Sequence, residues 1–358
     1  MQDKTTENKR TTIKDIARLS GYSKTAVSFA FNDPSRISTK ACQAIRKVAE
    51  ELGYYPDPLA RNFSLQRHRS IGFLLPQDIH FSLRNPYIMQ IIQGVGSVCQ
   101  KYGNTLTLIP PINQSVSEAV RCAAVDGLIT LGMSVEMSIV ETIQQRKMPF
   151  VTIDGIPSPE MPSVNIKDQE ASYQIMRLVL EAGHREIAII GLSEVSYEKQ
   201  ALESIQHARR DGYLKALQDF GLDFSSKELS LFTCETTLEE GRHMGHLISK
   251  LSPRPTCVVS MSDIVAIGAM LYFGEHGILV PQEISIVGFD NIQESAFIVP
   301  SITTVDQPAG EKGRQAAEML FSTINGSPSE NSHIYIPYRI ILRESLAPIP
   351  ASLSRRTE

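Results

Sequence analysis

The chain has no tryptophan, and aromatic residues make up only 7% of its 358 residues. That removes the broadest flat platform a protein can offer to a sugar ring. Its five cysteines, Cys42, Cys99, Cys122, Cys234 and Cys257, are scattered, odd in number and free of any C-x-x-C pair. Neither a zinc site nor a disulfide framework is indicated, and buried thiols are expected. No apolar run approaches the roughly 18 residues of a membrane span. The start, MQDKTTENKR, lacks the hydrophobic core of a secretory signal. A cytoplasmic protein without membrane contact is expected. The phosphate-loop, dinucleotide, nucleophile-elbow and zinc-protease motifs are also missing, and no Ser, His and Asp set is ordered by motif. An enzyme is not indicated, and neither a cofactor nor a metal is expected.

What is present is unevenly distributed. Residues 1–69 carry 13 Lys and Arg against 7 Asp and Glu, whereas the remainder carries 22 against 32. The overall charge of -4 therefore hides a basic head on an acidic body. That is the balance of a nucleic-acid reader joined to a part that does not bind DNA. The length also predicts two or three domains.

Thr12 to Asn32, TIKDIARLSGYSKTAVSFAFN, reads as two short helices broken at Gly21-Tyr22 and recapped by Ser23. Ile13, Ile16 and Ala17 recur at helical spacing in the first, leaving Lys14, Asp15 and Arg18 wet. In the second, Ala26, Val27, Ala30 and Phe31 form the inward stripe. Lys24, Thr25, Ser28, Phe29 and Asn32 turn outward, where base edges would lie. A third helix is signalled by Ser38 as cap, by Ala41, Ala44, Ile45, Val48, Ala49 and Leu52, and by Gly53 as the stop.

Three phrases in order, TIKDIARLSGYSKTAVS, NDPSRIS and ELGYYPDPLARN, closely resemble the start of the LacI/GalR (lactose- and purine-repressor) family of bacterial transcription regulators. The resemblance implies a helix-turn-helix headpiece over 1–56 and a linker with a hinge helix over 57–69. Asp57 and Pro58 suit a helix start, but about eight residues are too few for a helix stable alone in water. DNA, together with the partner subunit's equivalent segment, is implied to order it. The DNA-binding residues expected are Thr12, Lys14, Ser23, Lys24, Thr25, Ser28, Phe29, Asn32, Arg36, Ile37, Tyr55, Leu59, Ala60 and Phe63. Lys24 and Thr25 match base-contacting positions of the family. Phe29 stands where relatives carry a polar or basic reader, so it packs either on a thymine methyl or on the headpiece. Phe63 matches an intercalating leucine, and phenylalanine is an acceptable wedge with an altered base-step preference.

From Ser70 onward short apolar runs, IGFLL, LTLI, GLITL, FVTI, EIAII, TCVVS and SIVGF, alternate with helical patterns. This argues for mostly parallel sheets with covering helices. The phrases VDGLI, GHREIAIIG, MSDIVAIGA and VPQEISIVGFDN extend the family resemblance over nearly the whole chain. They imply an α/β periplasmic-binding-protein-like core of two doubly wound subdomains, crossed three times by the chain. The expected boundaries are 70–166 with 299–330, and 167–298 with 331–346, followed by a tail over 347–358.

Open parallel sheets bind ligands at the carboxyl ends of their strands. Asp154, Asp263 and Asp290 each follow a strand-like run, and each is either a helix or turn cap or an acceptor for paired sugar hydroxyls. The resemblance favours Asp290 and places the Arg209 guanidinium in the cleft; otherwise Arg209 is a surface helix arginine. Tyr87 could stack on a ring, and Cys234 stands where relatives carry an aromatic wall. The expected function is a transcription regulator, a repressor, acting as a homodimer on a pseudo-palindromic operator. Its effector, a sugar or alternatively a nucleobase or amino acid, would bind the cleft. A solute-binding protein of a transporter shares such a core, but the basic headpiece and the polar start count against it.

Overall fold

The computed structural model describes residues 11–55, 67–75, 78–113, 115–132, 138–193, 205–328 and 330–349. They fall into two compact units, Met1–His68 and Arg69–Glu358. In the first, helix α1 spans Ile13–Ser20 and stops at Gly21, whose φ of 74° is the left-handed value glycine tolerates. Helix α2 spans Lys24–Asn32 and helix α3 spans Thr39–Glu51. Each is capped by a serine: Ser23 Oγ accepts from the Ala26 N–H, and Ser38 Oγ from the Ala41 N–H, both at 3.2 Å. Ile16, Val27, Ala30, Ile45 and Ala49 are buried together as a small core. Arg46 donates Nε and Nη2 to the Ala30 carbonyl at 3.3 and 3.2 Å, tying α3 to the last turn of α2.

The second unit holds two sheets. The first contains β1 (Ser70–Leu74), β2 (Thr105–Ile109), β3 (Gly127–Leu131), β4 (Phe150–Ile153), β5 (Ser163–Asn165) and β11 (His333–Tyr335), in the order β11-β5-β4-β3-β1-β2. The second contains β6 (Ile187–Leu192), β7 (Leu229–Cys234), β8 (Cys257–Ser260), β9 (Ser285–Asp290), β10 (Thr303–Asp306) and β12 (Arg339–Ile341), in the order β12-β10-β9-β8-β6-β7. Every pairing among these is parallel except β10 with β12. Central strands β1 and β9 are buried along their length, as parallel strands covered by helices on both faces should be.

The chain passes between the sheets three times, after β5, after β10 and after β11. The boundary expected at 299–330 is corrected by this pairing. Residues 303–306 lie in the second sheet, because Thr303 to Asp306 pair in parallel register with Val287 to Asp290. Helix Ala309–Ile324 and β11 belong with the first sheet, and β12 returns to the second, so the expected assignment of 331–346 to the second subdomain also splits. Helix Ala309–Ile324 lies unusually close to helix Pro86–Lys101. A Cβ at Gly94 would stand 2.1 Å from the Gly310 carbonyl oxygen, and one at Gly313 would stand 2.3 Å from that of Ile91. Only glycine allows that approach, which sets Lys312 beside Tyr87.

No described helix is long and apolar enough to cross a membrane. Among the described residues no cluster of His, Cys, Asp and Glu could hold a metal. Cys99, Cys234 and Cys257 are buried as expected, whereas Cys122 is exposed and Cys42 half-buried.

Candidate functional site

On the headpiece, Lys24 and Thr25 are exposed at the start of α2, and Ser28, Phe29 and Asn32 follow half-buried along the helix. Ser28 Oγ accepts from Asn32 Nδ2 at 3.2 Å, one turn apart. Phe29 lies under the Arg36 guanidinium, 5.3 Å from the ring centroid, and Arg36 is itself paired with Asp33 at 3.0 Å. Thr12, Lys14, Ser23 and Tyr55 are exposed, and Ile37 is half-buried with the headpiece core packed against it. Leu59, Ala60 and Phe63 lie outside the described residues.

In the core, the ends of β4 and β9 carry Asp154 and Asp290, both in left-handed backbone with φ of 54° and 123°. Such conformations cost about 1–3 kcal/mol in a non-glycine residue and persist only where surrounding contacts over-determine them. Those contacts are present. Asp154 accepts from Lys312 Nζ at 2.5 Å and from the Tyr87 hydroxyl. Lys312 also donates to Gln307 Oε1 at 2.6 Å and to the Tyr87 oxygen at 3.1 Å. Gln307 Nε2 donates to Asp290 Oδ1 at 2.5 Å, and Ser262 Oγ donates to Asp290 Oδ2 at 3.1 Å. The structure thus joins Tyr87, Asp154 and Asp290 in one buried chain of hydrogen bonds that runs from the first subdomain to the second.

Arg209 sits on helix Ile205–Asp219, buried rather than on the surface. Its Nε donates to Asp168 Oδ1 at 2.8 Å and its Nη1 to the Met261 carbonyl at 2.9 Å, while the guanidinium lies 3.7 Å from the Phe289 ring centroid. Burial alone would lower the guanidinium pKa; the carboxylates of Asp168 and Asp290 more than offset it, so Arg209 stays charged. Burial pushes Asp290 up to about 6, against the pull of Arg209. Burial also raises Asp168, with Arg209 opposing. The second oxygen of Asp168 and the Tyr213 hydroxyl are buried without a partner, so the acceptor capacity around Arg209 is not filled by the protein.

Asp263 is not part of this chain. Its carboxylate accepts from Thr304 Oγ1 at 2.6 Å and from the Ile292 N–H at 3.1 Å, binding the helix Asp263–Glu275 to the end of β9 and to β10. A Cβ at Gly288 would stand 2.0 Å from its Oδ1, which is why the GFDN phrase begins with glycine. Asn291 in the same phrase is held by Asp306 at 3.1 Å and by Arg343 at 2.6 Å. Cys234 closes β7, buried, and burial pushes its thiol up to about 12. A cavity of ≈ 450 Å³ is lined by Phe81, Arg84 and Pro86 of the first subdomain and by Glu235, Leu238 and Ile264 of the second, and none of the network's side chains lines it. Arg84, in that lining, is paired with Glu239 at 2.6 Å.

Sequence reasoning missed Lys312, Gln307, Asp168 and Ser262. Lys312 alone left a trace, as a lysine on a helix stripe otherwise made of Ala309, Ala316, Met319 and Leu320.

A helix-turn-helix headpiece with an exposed α2 face, followed by two mostly parallel sheets joined by a buried polar network, defines a DNA-binding regulator with a sensor core. The family model for bacterial regulatory proteins of the lacI family matches residues 12–57, and a periplasmic binding protein-like domain model matches residues 176–346. The HTH-type transcriptional repressor PurR of Pectobacterium carotovorum subsp. carotovorum (strain PC1) is 30% identical over 348 residues, covering 95% of this chain and 98% of that protein. The repressor CytR of Escherichia coli (strain K12) is 28% identical, covering 95% and 97%. The solved lac repressor dimer, bound to operator and the anti-inducer ONPF, shares the fold with a TM-score of 0.78 at 20% identity, over 95% of this chain and 100% of that one. A LacI family regulator from Enterococcus faecium with bound ribose has a TM-score of 0.67 at 25% identity, over 78% and 100%. The chain belongs to the lacI family of bacterial regulatory proteins. It is a transcription repressor with an effector-binding core, not an enzyme.

Proposed function

We propose that this repressor works in the cytoplasm as a homodimer on a pseudo-palindromic operator, and that a hydroxyl-rich small molecule, a sugar, controls its DNA affinity from the cleft between the core subdomains. The observation that carries the reading is the placement of Asp290 at the end of β9 and of Arg209 near the start of helix Ile205–Asp219, two buried charged groups close enough to act on each other, with hydrogen-bonding capacity left unfilled at Asp168 and Tyr213 beside Arg209. A carboxylate accepts two hydroxyl hydrogens and a guanidinium donates to the oxygens beside them, which suits a vicinal diol. The ribose in the Enterococcus faecium regulator agrees with this. The names PurR and CytR of the relatives favour a second reading, a nucleoside or nucleobase, for the same pocket. Operator recognition is assigned to Lys24 and Thr25, with Ser28, Phe29 and Asn32 along the same face of α2. The effector acts by preferring one arrangement of the two subdomains, and it shifts DNA binding only by its differential affinity for the two states.

A thermal-shift screen of sugars, nucleosides, nucleobases and amino acids tests this. A cleft ligand at about 100 times its Kd stabilises by about 2.7 kcal/mol. Asp290→Ala should abolish the shift from any hit while keeping the fold. A hit that shifts Asp290→Ala as it shifts the unaltered protein would place the effector elsewhere.

A further inference from the structure

Lys312 is wholly buried on a helix stripe of alanines, methionine and leucine, where an ammonium costs several kcal/mol unless its protons are all received. They are: its three hydrogen bonds end on Asp154, Gln307 and the Tyr87 oxygen. Asp154 and Tyr87 belong to the first subdomain. Gln307 belongs to neither, because it lies on the crossover between β10 and helix Ala309–Ile324. With its carbonyl oxygen turned to Lys312, its amide nitrogen is directed the other way, to Asp290 Oδ1 of the second subdomain at 2.5 Å. The side chain thereby spans the two halves of the core at a point the chain itself crosses.

We infer that Gln307 is a built-in clasp, oriented by the positioning residue Lys312, which occupies on Asp290 the acceptor oxygen that an effector's donor would claim. This rests on the cleft reading above and deepens it. A ligand O–H or N–H takes the place of the Gln307 N–H on Asp290, so binding and release of the clasp are one exchange. The exchange requires a donor; a phosphate or carboxylate facing Asp290 cannot make it. The group presented to Asp290 is therefore a neutral or cationic donor, and its affinity is measured against the clasp rather than against water.

The clasp is testable in the ligand-free full-length protein, so its failure is distinct from failure of the effector assignment. Hydrogen exchange by mass spectrometry would be read at residues 290–292 and 154–155 and, as internal reference, in β1 and β6. Gln307→Asn keeps the amide but is one methylene too short to span, and Gln307→Leu removes both ends. Both should speed exchange at the two strand ends about tenfold, the equivalent of one net hydrogen bond, with β1 and β6 unchanged. The pair Lys312→Met with Asp154→Asn removes both charges, keeps at 154 a residue that tolerates φ of 54°, and leaves the Tyr87 hydroxyl its acceptor at 154. It should leave Tm near that of the unaltered protein yet speed the same residues, because Gln307 has lost its orientation. A merely structural Lys312 would leave both Tm and exchange unchanged in that double variant. Exchange unchanged at 290–292, or raised uniformly through the core, in the mildest variant that folds would overturn the clasp.

Discussion

Lys24 and Thr25 stand exposed at the start of a headpiece helix, whereas Arg209, Asp154, Asp290 and Lys312 are buried in the core with each charge engaged by protein partners. The two regions meet their ligands from opposite starting points. An exposed face assigned to DNA gives up only water when the duplex arrives, so its residues are expected to contribute to binding and almost nothing to folding. A buried polar network has to be satisfied before any ligand enters, since an unpaired charge in the interior costs more than folding can absorb. In the proposed reading, recognition there exchanges internal partners for ligand atoms, at the same residues that hold the fold together. Substitutions in the two regions should therefore separate stability from binding in opposite ways.

The largest effect is expected at the second buried pair. Arg209→Met keeps the volume but leaves Asp168 without a cation, in a site where its second oxygen already lacks a partner. Breaking one side of a buried pair costs about 3–5 kcal/mol. Urea unfolding of the core should show that loss, and adding Asp168→Leu should recover most of it. A loss below about 1 kcal/mol, the range of an exposed pair, would mean that Arg209 is not held as described and that the contrast between the regions fails at its strongest point.

The charge state of Asp290 gives the next effect. Burial raises its carboxyl from 3.8 to about 6 in the folded chain, so the folded state binds the proton more tightly than the unfolded one. The stability this contributes is fully present below pH 3.8 and is lost as pH rises through about 6. Asp263 and Asp168, also raised by burial, act in the same direction. The buried His184, whose pKa burial lowers, opposes them, because acidification charges it. Comparison with Asp290→Asn cancels the contributions of Asp168 and His184 and removes, with the Asp290 charge, the part of the Asp263 shift that this charge causes. The unaltered protein should gain Tm relative to Asp290→Asn between pH 6.5 and 4.5; a difference that stays flat across that interval would show an ordinary exposed carboxylate at 290.

How far the sequence disclosed these two regions follows the same division. The headpiece helices were legible because a 3.6-residue stripe and serine caps are local signals, and the observed ends fall within a residue or two of the expected ones. The buried central strands were legible as continuous apolar runs. The edge strand β7 was not, because half of it faces solvent and its polar alternation resembles a loop. HIYIPYRI reads as one strand series, yet Pro337 divides it and its halves join different sheets. The short helix Ile79–Arg84 carried no periodic signal long enough to find. Of the buried polar groups between the subdomains, Asp290 and Arg209 were singled out from family phrases. Gln307, Asp168 and Lys312 could not be, since their roles arise from contacts between residues 5 to 225 positions apart.

On the exposed side, Lys24→Ala should leave Tm unchanged and cost about 1–3 kcal/mol on the preferred operator, with discrimination relaxed at one position of each half-site. Equal weakening on every duplex, with a shallower salt dependence, would reduce Lys24 to a phosphate contact. A fall in Tm would show that the exposed face also supports the headpiece, against the contrast drawn above.

The smallest effect is the most discriminating for the headpiece itself. Ser23 and Ser38 make the same cap, each accepting a backbone N–H three residues on at 3.2 Å, but only Ser23 adjoins the face assigned to DNA. Ser38→Ala therefore measures the cap alone, expected at about 1 kcal/mol of headpiece stability, read by hydrogen exchange of α3 amides. Ser23→Ala should cost a similar amount in α2. If its hydroxyl also serves DNA, operator affinity should fall further than in Ser38→Ala, by more than the stability loss can account for when both are measured well below Tm. Equal operator affinities in the two variants would limit Ser23 to capping and move the DNA-reading edge of α2 to Lys24 and beyond.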